Sequence, residues 1–230
     1  MTISAVAPVS PDKAPRITSA TQIAYSEIRR MIVTAEIPPG EKLKINNLKD
    51  LLQTGASPVR EALSLLTSDQ LVERIDQRGF RSAPVSQAHF TEILTLRCAL
   101  EEMALRQSIA NATDTWEENL VLAHHRLTRA NPIDGAEFEE LHKTFHMALL
   151  TNCHSPILLL YCSQLYDLNV RYRYIAGRSL SYKRRDVSSE HQQILAATVA
   201  RDTDLACERL LDHYQKTGTF LQDTGLVLSQ

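Results

Sequence analysis

Four histidines lie where the sequence predicts the buried faces of helices. His142 and His146 are four residues apart in the predicted helix 135–152, so they lie on one face of it. His191 and His213 each fall on the apolar stripe of a later predicted helix. A single histidine in such a place is more often a hydrogen-bonded core residue. Four of them on three helices favour a shared divalent-metal site, because neutral imidazole is the commonest metal ligand.

Arg97 is the candidate for holding a charged ligand near these histidines. It lies on the inward stripe of the predicted helix 88–110, where an unpaired guanidinium would be costly. Two interpretations are open: an ion pair with Glu101, four residues further along, or a bond to an anionic ligand. The ligand is favoured, because such an intrahelical pair contributes only tenths of a kcal/mol. Arg171 and Arg173 are weaker candidates, since one of the two is expected to face solvent.

A second kind of chemistry is indicated between Ser57 and Gly79. Ser57 has the hydroxyl of a helix N-cap, Pro58 suits the first helical position, and Arg60 follows in the first turn. A guanidinium in that turn can bind a guanine edge or a phosphate, and the free N–H groups at Ser57 favour a phosphate. Arg78 and Gly79 form the tip of a predicted hairpin that fits a DNA minor groove. The alternative is that Arg60 pairs with a surface carboxylate and the hairpin is purely structural.

The surrounding pattern predicts a winged helix-turn-helix over residues 17–85. Apolar residues with a 3.6-residue period predict helices over about 21–35, 45–53 and from 57 onward. Runs rich in β-forming residues at 71–75 and 80–84 flank a turn, which completes the wing. Residues 1–16 are rich in Pro, Ser, Ala and Thr and show no period, so they are predicted to form a flexible tail.

After residue 85 the pattern changes to long amphipathic stretches without a strand signal. Helices are predicted at roughly 88–110, 115–129, 135–152, 156–177, 183–200 and 203–222. Packing their apolar stripes together gives an effector-binding and dimerisation domain over residues 88–225. The predicted fold class is mainly α, with an N-terminal winged helix-turn-helix followed by a C-terminal all-α helical bundle.

Overall charge gives no sign of a nucleic-acid partner. The 230 residues carry a formal net charge of −2, and residues 17–84 carry nine Lys and Arg against eight Asp and Glu. DNA binding must therefore rest on motif and placement. Four widely spaced cysteines are predicted to be buried free thiols. No signal peptide and no apolar run near the ~18 residues of a membrane span is recognised, so we expect a cytoplasmic protein without a membrane partner.

Residues 17–85 resemble the DNA-binding domain of the GntR family of bacterial transcription regulators. The matching segments, in order and at the family's spacing, are Ile37-Pro-Pro-Gly-Glu-Lys-Leu43, Ser57-Pro-Val-Arg-Glu-Ala-Leu63, Leu71-Val72 and Arg78-Gly-Phe80. The resemblance implies binding to double-stranded DNA. Two arginines that are common DNA contacts in the family are replaced here by Asn46 and Ala56. Arg60 and Arg78 are therefore expected to carry more of the DNA contact.

The helical part resembles the effector domain of the FadR subfamily over residues 88–222. The correspondence rests on Arg97, Leu100-Glu101, Phe145-His146, Glu190-His191 and His213. It implies a divalent metal held by His146, His191, His213 and a fourth residue, which is an aspartate in many members and His142 here. An all-imidazole site favours zinc, with nickel or copper as alternatives, over manganese or magnesium. Glu139 lies one turn before His142 as a candidate partner of the ligands.

The same resemblance implies the effector and the oligomer. Many members bind a small carboxylic acid beside the metal, so Arg97 is the expected protein contact for it. The missing arginine before Ser57 also resembles the branch that contains the carbon-starvation regulator CsiR, which is linked to glutarate-type dicarboxylates. A homodimer that acts as a repressor on an inverted-repeat operator is implied.

Two other functions are open from the residues alone. A metalloenzyme would use the histidine cluster, but His142-Lys-Thr-Phe-His146 lacks the glutamate that serves as general base in His-Glu-x-x-His hydrolases. Alternatively, the protein is a regulator whose histidines are purely structural. The sequence favours a ligand-responsive regulator that is not an enzyme.

Overall fold

A computed structural model describes residues 19–130, 135–176 and 186–223. The proposed tail over residues 1–16 and the proposed end of the second domain at residue 225 lie outside these ranges. Within them the chain is mainly helical, with one small sheet near the N-terminus, which confirms the predicted fold class.

The N-terminal part contains three helices and a three-stranded sheet. In chain order these are α1 (Ala20–Val33), β1 (Lys42–Leu43), α2 (Ile45–Leu51), α3 (Ala56–Ser68), β2 (Val72–Ile75) and β3 (Gly79–Ser82). The sheet is antiparallel in the order β1-β3-β2, with Leu43 opposite Phe80 and Val72 opposite Ser82. This is the predicted winged helix-turn-helix. Strand β1 was not predicted, because a two-residue strand leaves no alternation to detect.

Helix α3 begins two residues earlier than the sequence indicated. Its N-cap is Gly55, in an extended conformation, and Ser57 lies inside the first turn, where its hydroxyl donates to Glu61 Oε1 at 3.3 Å. The prediction of Ser57 as the N-cap was therefore wrong. Pro58 is the third helical residue rather than the first. It is still tolerated there, since the first four N–H groups of a helix have no partner within it.

The wing is the turn between β2 and β3. Gln77 and Gly79 have positive φ angles of 58° and 90°. Glycine adopts such an angle without the steric cost that a side chain would add, which explains its place at the start of β3. Arg78, between these two residues, is exposed.

The described C-terminal residues form six helices, each of which was predicted. They are α4 (Gln87–Ala110), α5 (Asp114–Arg129), α6 (Gly135–Leu150), α7 (Pro156–Ala176), α8 (Val187–Val199) and α9 (Thr203–Asp223), with a 3-10 turn at Thr151–Cys153 after α6. The side chains of Ser86, Thr113 and Asp186 accept the capping hydrogen bonds of α4, α5 and α8. Helix α8 thus begins at Val187, while residues 183–185 of its predicted span lie outside the described residues.

Two hydrophobic cores hold the described chain together. The first combines Ile28 of α1 and Leu63 of α3 with Phe90 of α4 and Tyr166 of α7. The second fills the space between the helices of the bundle, with Phe145 of α6 among its fully buried residues. Because α4 and α7 contribute to the first core, the winged helix-turn-helix packs directly on the bundle.

The cysteines and the helix lengths bear on two further predictions. Cys153, Cys162 and Cys207 are buried and Cys98 is half-buried, and all four are free thiols, as predicted. Among the residues described, no helix combines the length and the apolar character that crossing a bilayer requires.

Candidate metal and effector centre

The four predicted histidines meet inside the bundle. His142 and His146 come from α6, His191 from α8 and His213 from α9, and each is at most 5% exposed. One ring nitrogen of each lies within 4.8 Å of those of the other three. Adjacent ring centroids are 4.5 Å apart for His142 and His146 and 5.3 Å apart for His146 and His213. Three helices therefore bring four imidazoles into one buried cluster.

A tyrosine and a glutamate fix the tautomer of His142. Tyr166 donates its hydroxyl hydrogen to Glu139 Oε1 over 2.6 Å, so its oxygen is left to accept a hydrogen bond from His142 Nδ1. The ring therefore carries its hydrogen on Nδ1 and its lone pair on Nε2. Glu139 lies beside the imidazole cluster, 3.7 Å from His142 Nδ1, and contacts it through the hydroxyl of Tyr166.

Equivalent contacts orient two further rings. Tyr214 donates its hydroxyl hydrogen to Glu101, so its oxygen accepts from His146 Nδ1 at 3.0 Å. His213 Nδ1 lies 2.7 Å from Glu190 Oε2, and a ring nitrogen that faces a carboxylate carries the hydrogen. In the neutral rings Nε2 is then the lone-pair nitrogen. Holding Nδ1 from outside is how proteins orient metal-binding histidines.

Burial keeps three of the imidazoles neutral. It lowers the pKa of His142 well below the usual value, and the positive charge of Arg173 adds to this effect. Burial and the neighbouring His142 likewise lower the pKa of His146. The pKa of His191 falls to about 2, mainly through burial and then through His213. Since a metal binds the neutral imidazole, it would not have to displace a proton from these three rings at neutral pH.

Two of the rings have a nitrogen that the described protein leaves without a partner. Nε2 of His146 and Nε2 of His191 are buried and make no hydrogen bond to any described residue. A buried polar atom without a partner costs about 1–3 kcal/mol. Zn–N bonds of about 2.0–2.1 Å place tetrahedral ligand nitrogens roughly 3.3 Å apart. Nitrogens that already lie within 4.8 Å need only small movements to reach that spacing, so the cluster fits a divalent metal.

Arg97 lies beside the cluster, and both interpretations from the sequence apply to it. Its Nε donates to Glu101 Oε1 at 2.6 Å, so the intrahelical pair exists, and its Nη1 donates to Asn169 Oδ1 at 2.9 Å. The guanidinium carbon lies 4.0 Å from the ring centroid of Tyr214 and 4.8 Å from that of Tyr166. Its Nη2 is buried and has no partner among the described residues. One donor of a fixed guanidinium is therefore left for a ligand.

Arg173 also belongs to this centre. Its Nη2 bonds to Glu139, and its Nη1 lies 3.3 Å from Nδ1 and 3.4 Å from Nε2 of His142. Arg171 is buried and donates to Ser82 Oγ of β3 at 2.7 Å. The expectation that one of these arginines faces solvent was wrong. Helix α7 is covered by the imidazole cluster on one side and by the winged helix-turn-helix on another.

Tyr166 and Tyr214 are the residues of the centre that the sequence did not single out. Each lies on an apolar stripe, where a tyrosine looks like an ordinary core residue. The one available signal is that a buried phenol needs a hydrogen-bond partner, and this does not reveal which residue the partner is.

The predicted DNA contacts are exposed. Ser57 and Arg60 lie in the first turns of α3, and Arg78 and Gly79 lie on the wing. Neither Arg60 nor Arg78 forms an ion pair with a carboxylate in the part of the chain that the structure describes. The two guanidinium groups are thus available to an outside partner, and the pairing of Arg60 with a surface carboxylate is not observed.

Two family models match this sequence. The model for bacterial regulatory proteins of the gntR family matches residues 20–81, and the model for the FCD domain matches residues 92–216. Together they cover the winged helix-turn-helix and the helical bundle.

Similar proteins carry names of transcription regulators. The HTH-type transcriptional repressor GlaR of Escherichia coli K12 is 33% identical over 197 residues, which cover 82% of this chain and 90% of the relative. The regulator BphR of Paraburkholderia xenovorans LB400, itself uncharacterised, is 31% identical over 228 residues, which cover 96% of this chain and 93% of the relative. Both names describe DNA-binding regulators rather than enzymes.

Solved structures share the fold. E. coli McbR/YncC matches with a TM-score of 0.79 at 22% identity, over 90% of this chain and 99% of that one. A transcriptional regulator from Rhodococcus sp. RHA1 matches with a TM-score of 0.70 at 19% identity, over 88% and 97% of the two chains. At these identities the likeness concerns the fold alone.

Proposed function

The chain belongs to the GntR family of bacterial regulatory proteins, with an FCD domain as its C-terminal part, and from this premise we propose that it is a repressor released by a small carboxylic acid bound beside a divalent metal. Membership of the family makes it a DNA-binding transcription regulator and not an enzyme. The observation that supports the rest is that His146, His191 and Arg97 each have a buried nitrogen without a hydrogen-bond partner among the described residues. Two of these nitrogens can bind a cation and one can donate to an anion, a combination that fits a metal with a carboxylate.

The proposed metal ligands are His142, His146, His191 and His213. Four imidazoles favour zinc, with nickel as the alternative. When bound, the metal would supply a Lewis-acidic contact for an effector oxygen and would join α6, α8 and α9. Protein purified without a histidine tag should hold one metal per chain, and His146→Ala should lose it. The matched control is His125→Ala, since His125 is exposed on the neighbouring helix α5.

The competing interpretation is that the histidines are structural. The hydrogen bonds of Nδ1 on three of the rings would be compatible with that role. A structural imidazole is expected to use both nitrogens, whereas Nε2 of His146 and Nε2 of His191 have no partner among the described residues. Untagged protein that takes up no zinc from a stoichiometric solution would exclude the metal site and leave the structural role.

The proposed effector is a small carboxylate, and a dicarboxylate such as glutarate fits the charge of the centre. The resemblance to the FadR subfamily places an aspartate where this chain has His142, so the centre here is one charge more positive. An effector at 100 times its Kd would stabilise the protein by about 2.7 kcal/mol. Glutarate should therefore raise the melting temperature of zinc-loaded protein, and Arg97→Ala should remove that shift while keeping the metal. Full stabilisation of metal-free protein by glutarate would refute the link between metal and effector.

Substitution of one proposed metal ligand tests separately whether the charge of the site selects the effector. His142→Asp restores the carboxylate and should keep the metal while moving the preference from glutarate toward the monocarboxylate butyrate. The comparison uses the ratio of the two thermal shifts, so an overall change in stability does not affect it. An unchanged ratio would show that the charge of residue 142 does not select the effector.

DNA binding is assigned to residues 17–85, and effector binding and dimerisation to residues 88–225. Arg60 would reach a base edge in the major groove, and the N-terminus of α3 near Ser57 would hold a phosphate. Arg78, with Gly79, would enter the adjacent minor groove.

The decisive experiment is the binding of purified protein to its own upstream DNA, with and without a panel of carboxylic acids. A complex that one of the acids dissociates is expected, and such a complex would form in the cytoplasm. Failure to prefer upstream DNA over random DNA would refute the assignment.

A second copy of the chain is the proposed occupant of an exposed apolar face on α4 and α7. Leu96 and Met103 of α4 are 46% and 50% exposed, and Ile157, Leu160 and Tyr161 of α7 are 70%, 55% and 52% exposed. Exposed large apolar side chains on neighbouring helices are characteristic of an interaction site. Helix α7 carries no charge before residue 167, so two copies would not repel each other across a two-fold axis.

The shape of this face also suits self-association. Beside Tyr161 a groove of about 290 Å³ runs between α4, α7 and the turn after α3, so the face offers both a ridge and a recess. A dimer would supply two copies of α3, one for each half of an inverted repeat. Ile157→Glu should convert the dimer to monomers in analytical ultracentrifugation. Val121→Glu, at an exposed apolar residue of α5, is the control, and a dimer that survives Ile157→Glu would rule out this face.

A further inference from the structure

Two consecutive contacts join α6 to α7 at the edge of the imidazole cluster. His142 of α6 bonds to Tyr166 of α7, and the next residue of each helix forms the second contact, in which Lys143 Nζ donates to Asp167 Oδ1 at 2.7 Å. Adjacent residues of a helix point about 100° apart. The first contact therefore faces the cluster, while the second faces a different neighbour.

That neighbour is an arginine of the winged helix-turn-helix. Arg29 of α1 donates from Nε to Asp167 Oδ2 at 2.8 Å and from Nη2 to Oδ1, the oxygen that also binds Lys143. The three side chains are only 16%, 13% and 18% exposed, so solvent and salt screen these charges less than they would on the surface. The preceding residue of α1, Ile28, packs in the same core as Leu63 of α3. The position of Arg29 therefore depends on the packing of α1 against α3.

Other contacts between the two parts of the chain do not involve α6 in this way. The hydrogen bonds from Arg171 to Ser82 and from Gln164 to Asp69 start on α7. Glu140 of α6 lies 3.6 Å from Arg29, but its side chain is 71% exposed. Within the described ranges, the buried connection from the ligand-bearing helix to the DNA-binding part runs through Lys143, Asp167 and Arg29.

We propose that Lys143, Asp167 and Arg29 transmit metal binding at the imidazole cluster to α3, the helix that carries Arg60. The inference rests on the proposed metal site and on DNA binding. A metal held by His142 would shift the segment of α6 that carries Lys143, and with it the hydrogen bond from Lys143 to Asp167. The shared carboxylate passes this shift to α1. The three charged residues are not among the proposed metal ligands or DNA contacts and act as positioning residues.

The test compares operator affinity in zinc-free and zinc-loaded protein. Full-length protein is stripped with a chelator, and its Kd for labelled upstream DNA is measured by fluorescence anisotropy at fixed salt, before and after one equivalent of zinc. The wild-type Kd should change by about fivefold or more, the lower end of typical allosteric coupling. Lys143→Met should bring the two Kd values within about twofold of each other, since it keeps the aliphatic stem but removes the shared charge.

The matched control is Lys216→Met. Lys216 pairs with Asp212, which is likewise adjacent to a proposed ligand, but the side chain of Lys216 is 52% exposed, so this variant should keep the wild-type response to zinc. Zinc affinity of Lys143→Met, measured by competition with a chelator, should remain within about threefold of the wild-type value, because the variant leaves all four imidazoles in place. Arg29→Met interrupts the same link from the other side and serves if Lys143→Met fails to fold.

Each possible result of this test supports or overturns the proposed transmission. A wild-type response to zinc in a folded Lys143→Met or Arg29→Met protein would overturn the proposal. So would a wild-type Kd that zinc does not change although both zinc and operator bind, and that result would leave the regulator function intact. Wild-type protein that binds no zinc or no upstream DNA would refute the proposed function itself, and the transmission with it.

Discussion

Replacement of Arg97 by methionine tests how much its buried ion pair with Glu101 stabilises the protein. Arg97 is 4% exposed and Glu101 is 1% exposed, so the variant leaves a buried carboxylate whose remaining described donor is the hydroxyl of Tyr214. Removing one partner of a buried ion pair costs about 3–5 kcal/mol. The guanidinium also loses its contacts with two tyrosine rings, while the methionine fills part of the space and the Tyr214 hydrogen bond remains. These smaller effects oppose each other, so we expect the free energy of unfolding to fall by about 4 kcal/mol.

The assay is equilibrium unfolding in urea, followed by circular dichroism on metal-free protein at fixed concentration, with the midpoint and slope compared. Arg106→Met is the control, because Arg106 and Glu102 form a pair of the same spacing on the same helix at 44% and 33% exposure. It should change stability within experimental error, as exposed pairs contribute little. Adding Glu101→Gln to Arg97→Met should recover part of the loss, since it removes the buried charge. A cost for Arg97→Met below about 1 kcal/mol would refute the reasoning, because breaking a buried ion pair should cost several times more.

The remaining predictions concern DNA, metal and pH. Arg60→Ala should abolish specific operator binding, because it removes a base-edge contact of about 1–3 kcal/mol, and it should not change dimerisation or metal content. A gel-shift titration at fixed salt measures the loss. Arg78→Ala should weaken specific and random DNA by similar factors, because a groove-bound arginine senses shape and charge, and a loss confined to the operator would contradict that role. Chelation should lower the melting temperature of the protein as isolated, and added zinc should restore it. Metal-free protein should lose stability as the pH falls below about 6.5, since burial lowers the folded-state pKa of three cluster histidines and the unfolded chain then binds more protons. Each histidine contributes up to about 1.4 kcal/mol per pH unit, which urea unfolding at about pH 7.5 and about pH 5.5 will reveal.

Helix positions followed from the sequence because buried residues recur at helical spacing, as Phe90, Ile93 and Arg97 do in α4. Helix α4 was predicted at 88–110 and is found at Gln87–Ala110. Errors occur where local signals compete. Ser57 and Pro58 together look like a helix start, yet Gly55 caps α3, because Pro58 is acceptable at any of the first few positions. Strand β1 forms by pairing with β3, and no local sequence pattern reveals a pairing strand that lies far along the chain.

For this centre, the sequence predicted only which residues of each single helix face inward. The stripes of α6, α8 and α9 indicated that four histidines face inward, and the structure brings these four together. Which nitrogen each ring presents depends on Tyr166 and Tyr214, whose partners lie on other helices. The role of Arg173 likewise depends on how α7 packs against α6. Such contacts between distant residues leave no mark on the spacing within any one segment.

The charge of the centre follows from the pairing of its arginines. Arg97 is matched by Glu101 and Arg173 by Glu139, and the same two carboxylates accept the tyrosine hydrogens that orient two of the imidazoles. Burial keeps three of the imidazoles neutral, so among the described residues the charge of a divalent cation would be balanced only in part, by the more distant Glu190. An incompletely balanced charge in a buried site is costly, and an anion beside the metal removes that cost. Metal and carboxylate should therefore each strengthen the binding of the other, since coupling between two sites is reciprocal.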